Sequence, residues 1–247
     1  MRFIQDEDYL NCGRATKLLY QRWSGSDVAD RQVVLWGSER DFLLGQELWR
    51  TRIARWLKNE AWLNAFRMRP ERMPEYVKRW NAWRPVHVLA YAQSMYEFAR
   101  FIEREGLAVH SPRSVMTSAD TLYPIMRETI ERVFRAPVFN RYGSREVGDA
   151  ACECDSHEGL HVSAATHYVE VLRPDGCPTE PGEEGEIVVT SLVNLAMPFI
   201  RYRIGDMGVL SDKACSCGRE WPLLETVTGR LIDRFLTRDG TYVPGEY

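Results

Sequence analysis

Between Ser114 and Gly148 the chain reads SVMTSADTLYPIMRETIERVFRAPVFNRYGSREVG, and its apolar pattern changes period twice. SVMTSA (114–119) is a short apolar run with the profile of a buried strand. Leu122, Met126, Ile130 and Val133 then recur at helical spacing, which places an amphipathic helix directly after it. PVFNRYG (137–143) is strand-like again. Strand, helix, strand in this order is a parallel βαβ unit, because parallel neighbours need a crossover and the helix supplies it. In such sheets ligands gather beyond the carboxyl ends of the strands, here TSAD (117–120) and RYGSREVG (141–148).

Upstream, QVVLWG (32–37) reads as a buried strand ending in glycine, followed by a helix expected over about 41–64 with Trp49, Ile53, Trp56 and Leu57 on one face. A further helix is expected over 86–105, with Met95, Phe98, Ala99 and Ile102 inward and Gly106 as its stop. After Asp149 the character changes. HYVEVL (167–172), EIVVT (186–190) and PFIRYRIGD (198–206) are short β-rich runs separated by turns such as RPDG (173–176), as in a smaller antiparallel region. The expected class is α/β, with an α/β portion over 1–148 and a β-rich portion over 149–247.

Composition is that of a folded globular protein: 45% of the 247 residues are apolar, 27% are charged, and the net charge is −3. No global basic field favours nucleic acid or anionic lipid. Locally, residues 50–84 hold ten Lys or Arg against three Glu, interleaved with tryptophans. Such interleaving occurs in single-stranded nucleic-acid binders, but the helical spacing favours tryptophans in a core beneath a solvated basic face. No apolar run approaches the roughly 20 residues of a membrane span, and MRFIQDEDYL lacks a signal-peptide layout, so a cytoplasmic chain without membrane contact is expected.

Six cysteines stand at 12, 152, 154, 177, 215 and 217. Two Cys-x-Cys pairs suit metal chelation better than disulfides, since tetrahedral zinc takes four N or S ligands. A closed four-ligand site would be a folding clamp with no catalytic position. Cys12 and Cys177 have no partner motif and read as packing residues.

Tyr142–Gly148, YGSREVG, combines an aromatic, a glycine permitting close backbone approach, a hydroxyl and a carboxylate: parts suited to stacking a base, approaching a phosphate and holding Mg²⁺. RYRIGD (201–206) and GRLID (229–233) follow in that order. The series resembles the adenylate-forming enzymes, specifically the phenylacetate:CoA ligase branch, from about Gln21 onward and most strongly over 120–233. RWSGSDVADRQVVLWGSE (22–39) looks like the segment that follows that family's phosphate loop.

The resemblance implies a partial adenylate-forming N-terminal domain that binds ATP and releases AMP. Tyr142 would flank the adenine, with Thr117, Ser118 and Ala119 on its other side. Gly143, Ser144 and Arg145 would approach the phosphates, and Glu146 would help hold Mg²⁺. Asp206 would accept the ribose hydroxyls, Arg230 would lie near ribose and α-phosphate, and Asp233 would be the hinge. Glu146 and Arg230 are the expected catalytic residues. Arg145 departs from the Thr or Ser usual in the superfamily. Arg201 and Arg203, which otherwise read as surface ion pairs, gain a binding role from this context. For zinc the resemblance favours Cys154, His161, Cys215 and Cys217, with Cys152 in place of His161 as the alternative set and His157 as a third candidate.

The implied reaction is attack of a substrate carboxylate on the α-phosphorus of ATP, with CoA as one candidate acceptor. Aromatic residues such as Tyr91, Tyr96, Phe98 and Tyr123 would line an acid pocket or fill the core. The family's glycine-rich loop would precede Met1 and its lysine-bearing C-terminal domain would follow Tyr247. At about 3 kcal/mol for each lost oxyanion-type contact, the chain alone is expected to bind nucleotide weakly and turn over little unless another chain completes it. The competing expectations are a catalytically inactive split or decayed relative acting as a binding module, and a zinc-ribbon nucleic-acid binder.

Overall fold

The computed structural model describes residues 3–37, 49–230, 234–236 and 242–244, with backbone alone for 50–52, 234–236 and 242–244. The chain divides into two compact units, one of residues 21–140 and one joining 1–20 to 141–247. This division falls inside a strand, ahead of the composition change at Gly148.

The unit of residues 21–140 holds a parallel sheet of β1 (Gln32–Trp36), β2 (Glu60–Asn64), β3 (His87–Tyr91), β4 (Ser114–Ser118) and the first residues of β5 (Val138–Ser144). Its order is β2-β1-β3-β4-β5, with every neighbour parallel. The chain leaves β1 toward β2 and returns to the far side of β1 as β3, so a topological switch point lies between β1 and β3. Helix α1 (Glu7–Trp23) lies almost wholly in the other unit; α2 (Trp49–Leu57), α3 (Met73–Trp83), α4 (Ala92–Arg104) and α5 (Pro124–Phe134) are the α-helices among the described residues of this half. Trp80, Phe98 and Phe134, all fully buried, meet with centroids 4.9–6.1 Å apart beneath the sheet. The Trp80 indole N–H donates to the His110 carbonyl at 2.8 Å, which satisfies the polar atom such a ring brings inside.

The βαβ unit of 114–144 folds as its pattern indicates, and Met95, Phe98, Ala99 and Ile102 all face the core. Two helices expected upstream are shorter. Residues 60–64 are β2 and residues 87–91 are β3, so the runs expected as continuous helix over 41–64, of which 41–48 lie outside the described residues, and over 86–105 each include a strand. Short apolar runs of about five residues carry no period of their own, and pairing with β1 decides them. The tryptophans divide as well. Trp80 is buried and Trp83 packs against the core, but Trp49 and Trp56 are 65% and 70% exposed, with Ile53 and Leu57 beside them on α2. The core placement expected for that face of α2 is corrected accordingly.

The other unit is antiparallel: β5 from Arg141, β6 (Gly148–Glu153), β7 (Leu160–Val162), β8 (His167–Leu172), β9 (Glu184–Ser191), β10 (Tyr202–Ser211) and β11 (Leu223–Arg230). They pair in the order β5-β6-β7-β11-β10-β9-β8. Asp6 starts α1 by accepting the Tyr9 N–H at 2.8 Å, and its second oxygen takes the N–H groups of Leu195 and Ala196 at 2.9 and 3.0 Å. Tyr20, at the other end of this stretch, hydrogen-bonds the Ser163 hydroxyl at 2.5 Å. One acidic cap thus ties α1 to a loop nearly two hundred residues away in sequence. A short antiparallel pair, β12 (Arg234–Leu236) with β13 (Tyr242–Pro244), closes the described chain. Asp233 lies outside the described residues. Among those residues no helix is long and apolar enough to cross a membrane.

Candidate functional site

In the antiparallel unit, strand β5 delivers Tyr142 and then turns sharply through Ser144–Val147 into β6. Gly143 is required there: a Cβ would lie 2.2 Å from the Gly148 carbonyl oxygen, closer than any side chain permits. Gly148 has φ +80°, and a Cβ on it would meet the Tyr9 hydroxyl at 2.7 Å. The Ser144 hydroxyl oxygen accepts the N–H groups of Glu146 and Val147 at 3.2 and 3.3 Å, which holds the turn closed. Arg145 is exposed at its tip and Glu146 is half-buried.

Strands β10 and β11 bring the two later motifs to Tyr142. Asp206 pairs in register with Arg230, and the ladder to β9 is interrupted between Arg203 and Met207, just where Asp206 sits. The Tyr142 hydroxyl donates to Asp206 Oδ2 at 2.8 Å, and Arg230 Nε lies 3.5 Å from Oδ1. Burial, reinforced by the Asp206 carboxylate, drives the Tyr142 pKa far upward, so its hydroxyl keeps its proton and remains a donor. Three segments separated by scores of residues therefore meet at one carboxylate. Arg201 and Arg203 do not join them. They form exposed ion pairs with Glu170 (3.1 Å) and Glu186 (2.7 Å) on neighbouring strands.

In the parallel unit, Thr117 and Ser118 end β4 with buried side chains, and the Thr117 hydroxyl donates to the Phe139 carbonyl at 3.3 Å. Of the TSA segment only Ala119 is exposed, in a left-handed conformation with φ +75°. At the switch point, Trp36 at the end of β1 stacks on Tyr91 at the end of β3, with centroids 4.0 Å apart. Tyr91 and Phe66 also line a cavity of ≈ 410 Å³ at the start of α4, where Asp120 accepts the Gln93 N–H at 3.2 Å. Burial raises the Asp120 pKa against that hydrogen bond. Trp36 and Phe66 escaped the sequence reading. The glycine that ends QVVLWG was the available signal, since a strand-terminal aromatic before it marks the ligand-facing edge. Of the other aromatics considered, Phe98 is core and Tyr96 packs against it.

The second constellation is a Cys/His cluster. Ligand atoms of Cys154, His161, Cys215 and Cys217 all lie within 4.8 Å of one another. Cys154 Sγ is 3.6 Å from Cys215 Sγ, and Cys217 Sγ is 3.3 Å from His161 Nε2. Pairing of β7 with both β6 and β11 explains the convergence: it sets His161 between the end of β6, which carries Cys154, and the turn before β11. Backbone N–H groups of Ser156 and Arg219 point at the Cys154 and Cys217 sulfurs at 3.4 and 3.5 Å. Such donors favour thiolates, the form in which sulfur binds a metal. Burial raises the Cys215 thiol to about 12; at Cys217 burial also raises, but hydrogen bonds from Arg219 and the neighbouring thiols outweigh it and the net shift is downward. The donor set and its N–H···S bonds fit zinc.

Cys152 and His157, the alternatives considered, lie outside the cluster. Cys152 is buried in β6, where burial raises its thiol well above the ordinary value, and His157 pairs with Glu153 at 3.2 Å. Cys177, expected to pack internally, is exposed in the turn after β8; Cys12 is half-buried on α1.

With this geometry in view, the fold is that of the adenylate-forming ligases. 2-Hydroxyisobutyryl-CoA ligase in its postadenylation state superposes with a TM-score of 0.77 at 18% identity, over 96% of this chain and 51% of that one. The amide bond synthetase McbA from Marinactinospora thermotolerans gives 0.62 at 16% identity, over 96% and 47%. In sequence the likeness narrows to the branch that the motifs suggested. The chain is 29% identical over 161 residues to phenylacetate-coenzyme A ligase of Thermus thermophilus, 63% of this chain and 36% of that protein. It is 31% identical over 125 residues to the Escherichia coli enzyme of the same name, 49% and 28%, and 29% identical over 156 residues to protein CapK of Staphylococcus aureus, 63% and 33%. No protein-family model matches. The chain spans about a third of these curated relatives and about half of the solved structures.

Proposed function

We propose that this chain is the nucleotide-binding core of an ATP-dependent, carboxylate-activating ligase of the acid:CoA ligase type. The observation that carries the reading is the convergence of Tyr142, Asp206 and Arg230 within hydrogen-bond or ion-pair distance. In this reading Asp206 is oriented by the Tyr142 hydroxyl through Oδ2, and its carboxylate, beside Arg230, is a strong charge-assisted acceptor for the ribose hydroxyls. The Tyr142 ring forms one wall for the adenine. In the parallel unit, Thr117 and Ser118 hold the end of β4 in shape and Ala119 leaves its backbone exposed.

Arg230 is 64% exposed in its side chain and so is able to swing from Asp206 toward the α-phosphate. There it would neutralise charge that grows as the carboxylate oxygen bonds phosphorus and pyrophosphate departs. Gly143 and Ser144 shape the turn, and Arg145 supplies a cation where a hydroxyl is usual. Glu146 offers one carboxylate to Mg²⁺, which binds through one or two carboxylates together with substrate phosphates and shields them from an anionic nucleophile. The aromatic switch-point cavity of the parallel unit is the proposed acid pocket. Zinc in the Cys154–His161–Cys215–Cys217 cluster would clamp the turn before β11, the strand that carries Arg230. The proposal includes a complementing segment that supplies the relatives' glycine-rich loop and C-terminal lysine, and CoA as the acyl acceptor.

Calorimetry with AMP tests the core of this reading. The 247-residue chain binds AMP, and Asp206→Ala weakens it by about 1.5–3 kcal/mol, the range for a hydrogen bond to a charged group. Equal AMP affinity in the two proteins sinks the nucleotide assignment.

A further inference from the structure

Helix α1 and the Ser144–Gly148 turn bound a cavity of ≈ 350 Å³ inside the antiparallel unit, within the size range of small-molecule sites. Three cations reach its lining: Arg14 and Lys17 from α1, and Arg145 from the turn. All three are exposed, and among the described residues none is ion-paired with a carboxylate. Arg14 gives one N–H to the Asn11 side chain at 2.9 Å and retains the rest. The one carboxylate in the lining, Asp149, faces Arg141 at 3.3 Å, so the wall keeps a positive surplus. Arg14 and Lys17 stand three residues apart on one helix face, a like-charge spacing that is unfavourable unless an anion relieves it.

The floor is polar and fixed. Thr16, Thr166 and His167 are buried there, with His167 Nε2 2.7 Å from the Val147 carbonyl and Nδ1 2.8 Å from the Thr166 hydroxyl, which also reaches the Ser163 carbonyl at 3.1 Å. The wall at Gly13 is open, since a Cβ there would meet nothing within 4 Å.

We infer that this cavity binds a small organic molecule with at least two negative charges, a dicarboxylate or a phosphate monoester. A single charge would leave two of the three rim cations unanswered, and a dianion answers a second. The inference stands on α1 and the turn, and it shares Ser144 and Arg145 with the proposed nucleotide contacts.

Titration calorimetry of the 247-residue chain at low ionic strength tests it, with glutarate and ethyl phosphate as dianions, butyrate as the monoanion, and AMP as the nucleotide. Both dianions, or the one whose anionic group the rim prefers, bind at least about tenfold more tightly than butyrate, and added salt weakens them. The double substitution Arg14→Gln/Lys17→Gln, on exposed side chains, brings them to the butyrate level and leaves AMP binding unchanged. Gly13→Phe, which fills the open wall, excludes the dianions. Dianion binding no better than butyrate, or unaffected by the double substitution, overturns the inference. So does parallel loss of AMP in that variant, which would make the cavity part of the nucleotide's phosphate cradle. Absence of AMP binding to the parent chain, with dianion binding intact, removes the nucleotide reading alone.

Discussion

Replacing Tyr142 with Phe keeps the ring that packs in the antiparallel core and deletes only the hydroxyl that reaches Asp206. A hydrogen bond to a charged acceptor is worth about 1.5–3 kcal/mol net, and the acceptor left behind is poorly solvated. The Asp206 side chain retains 12% exposure, so water partly replaces the lost donor and the expected cost falls toward about 1.5–2 kcal/mol. Asp206→Asn alone removes the same charge-assisted bond and weakens the contact with Arg230, which is mostly solvated and adds well under about 1 kcal/mol. In urea unfolding of the parent, both single variants and the double variant, the two substitutions are therefore non-additive, with a coupling energy of about 1–2 kcal/mol. Coupling below about 0.5 kcal/mol in variants with parent-like circular dichroism would refute the contact. The convergence of the YGSREVG and RYRIGD segments on one carboxylate would fall with it.

Metal analysis after zinc-replete expression finds one zinc per chain; Cys154→Ser loses it, whereas Cys152→Ser, outside the cluster, retains it. Zinc-free protein melting at the same temperature as the loaded form would remove the folding-clamp role. Gly143→Ala drives a methyl into the Gly148 carbonyl and destabilises the chain by about 1–3 kcal/mol, read as a shift in urea midpoint. Burial and the nearby Asp149 charge raise Tyr9 to about 12, so the unfolded chain ionises this tyrosine first; its contribution is whole below pH about 10 and is lost as pH rises toward 12. Tyr9→Phe flattens the stability decline across that window, and an unchanged alkaline limb in this variant rules out the assignment.

The parallel half was legible wherever a run was long enough to show its period. The helix of 124–134 and the buried face of α4 followed from spacing alone. β2 and β3 did not, because five residues are too few to show a period, and these strands run directly into or out of helical segments. The basic and aromatic stretch misled for a related reason. Trp49 and Trp56 recur at helical spacing, but spacing shows only that residues share a face and not which way the face turns. The residues alone left the zinc ligands as a set of candidates and the resemblance favoured His161 over Cys152; the pairing of β7 with β6 and β11 supplies the physical reason, a long-range register that no local pattern encodes.

Asp206 shows why motif order carried more information than any motif alone. A glycine-aspartate turn is common, and its neighbours Arg201 and Arg203 do occupy ordinary surface ion pairs. What distinguishes Asp206 is that β11 pairs Arg230 beside it while β5 aims a buried tyrosine hydroxyl at its other oxygen. Burying a carboxylate is a poor way to gain stability even where a hydroxyl donor and a solvated cation face it, since desolvation offsets much of the attraction. A well-packed apolar residue would serve the core as well or better. A carboxylate held rigid on one side and approachable on the other is instead suited to accepting two hydroxyls from a ligand, so the stability of Asp206 variants and their AMP affinity should move independently. Asp206→Leu is the discriminating case: a chain at least as stable as the parent that no longer binds AMP separates the ligand role from the structural one, whereas joint loss of both assigns Asp206 to the fold.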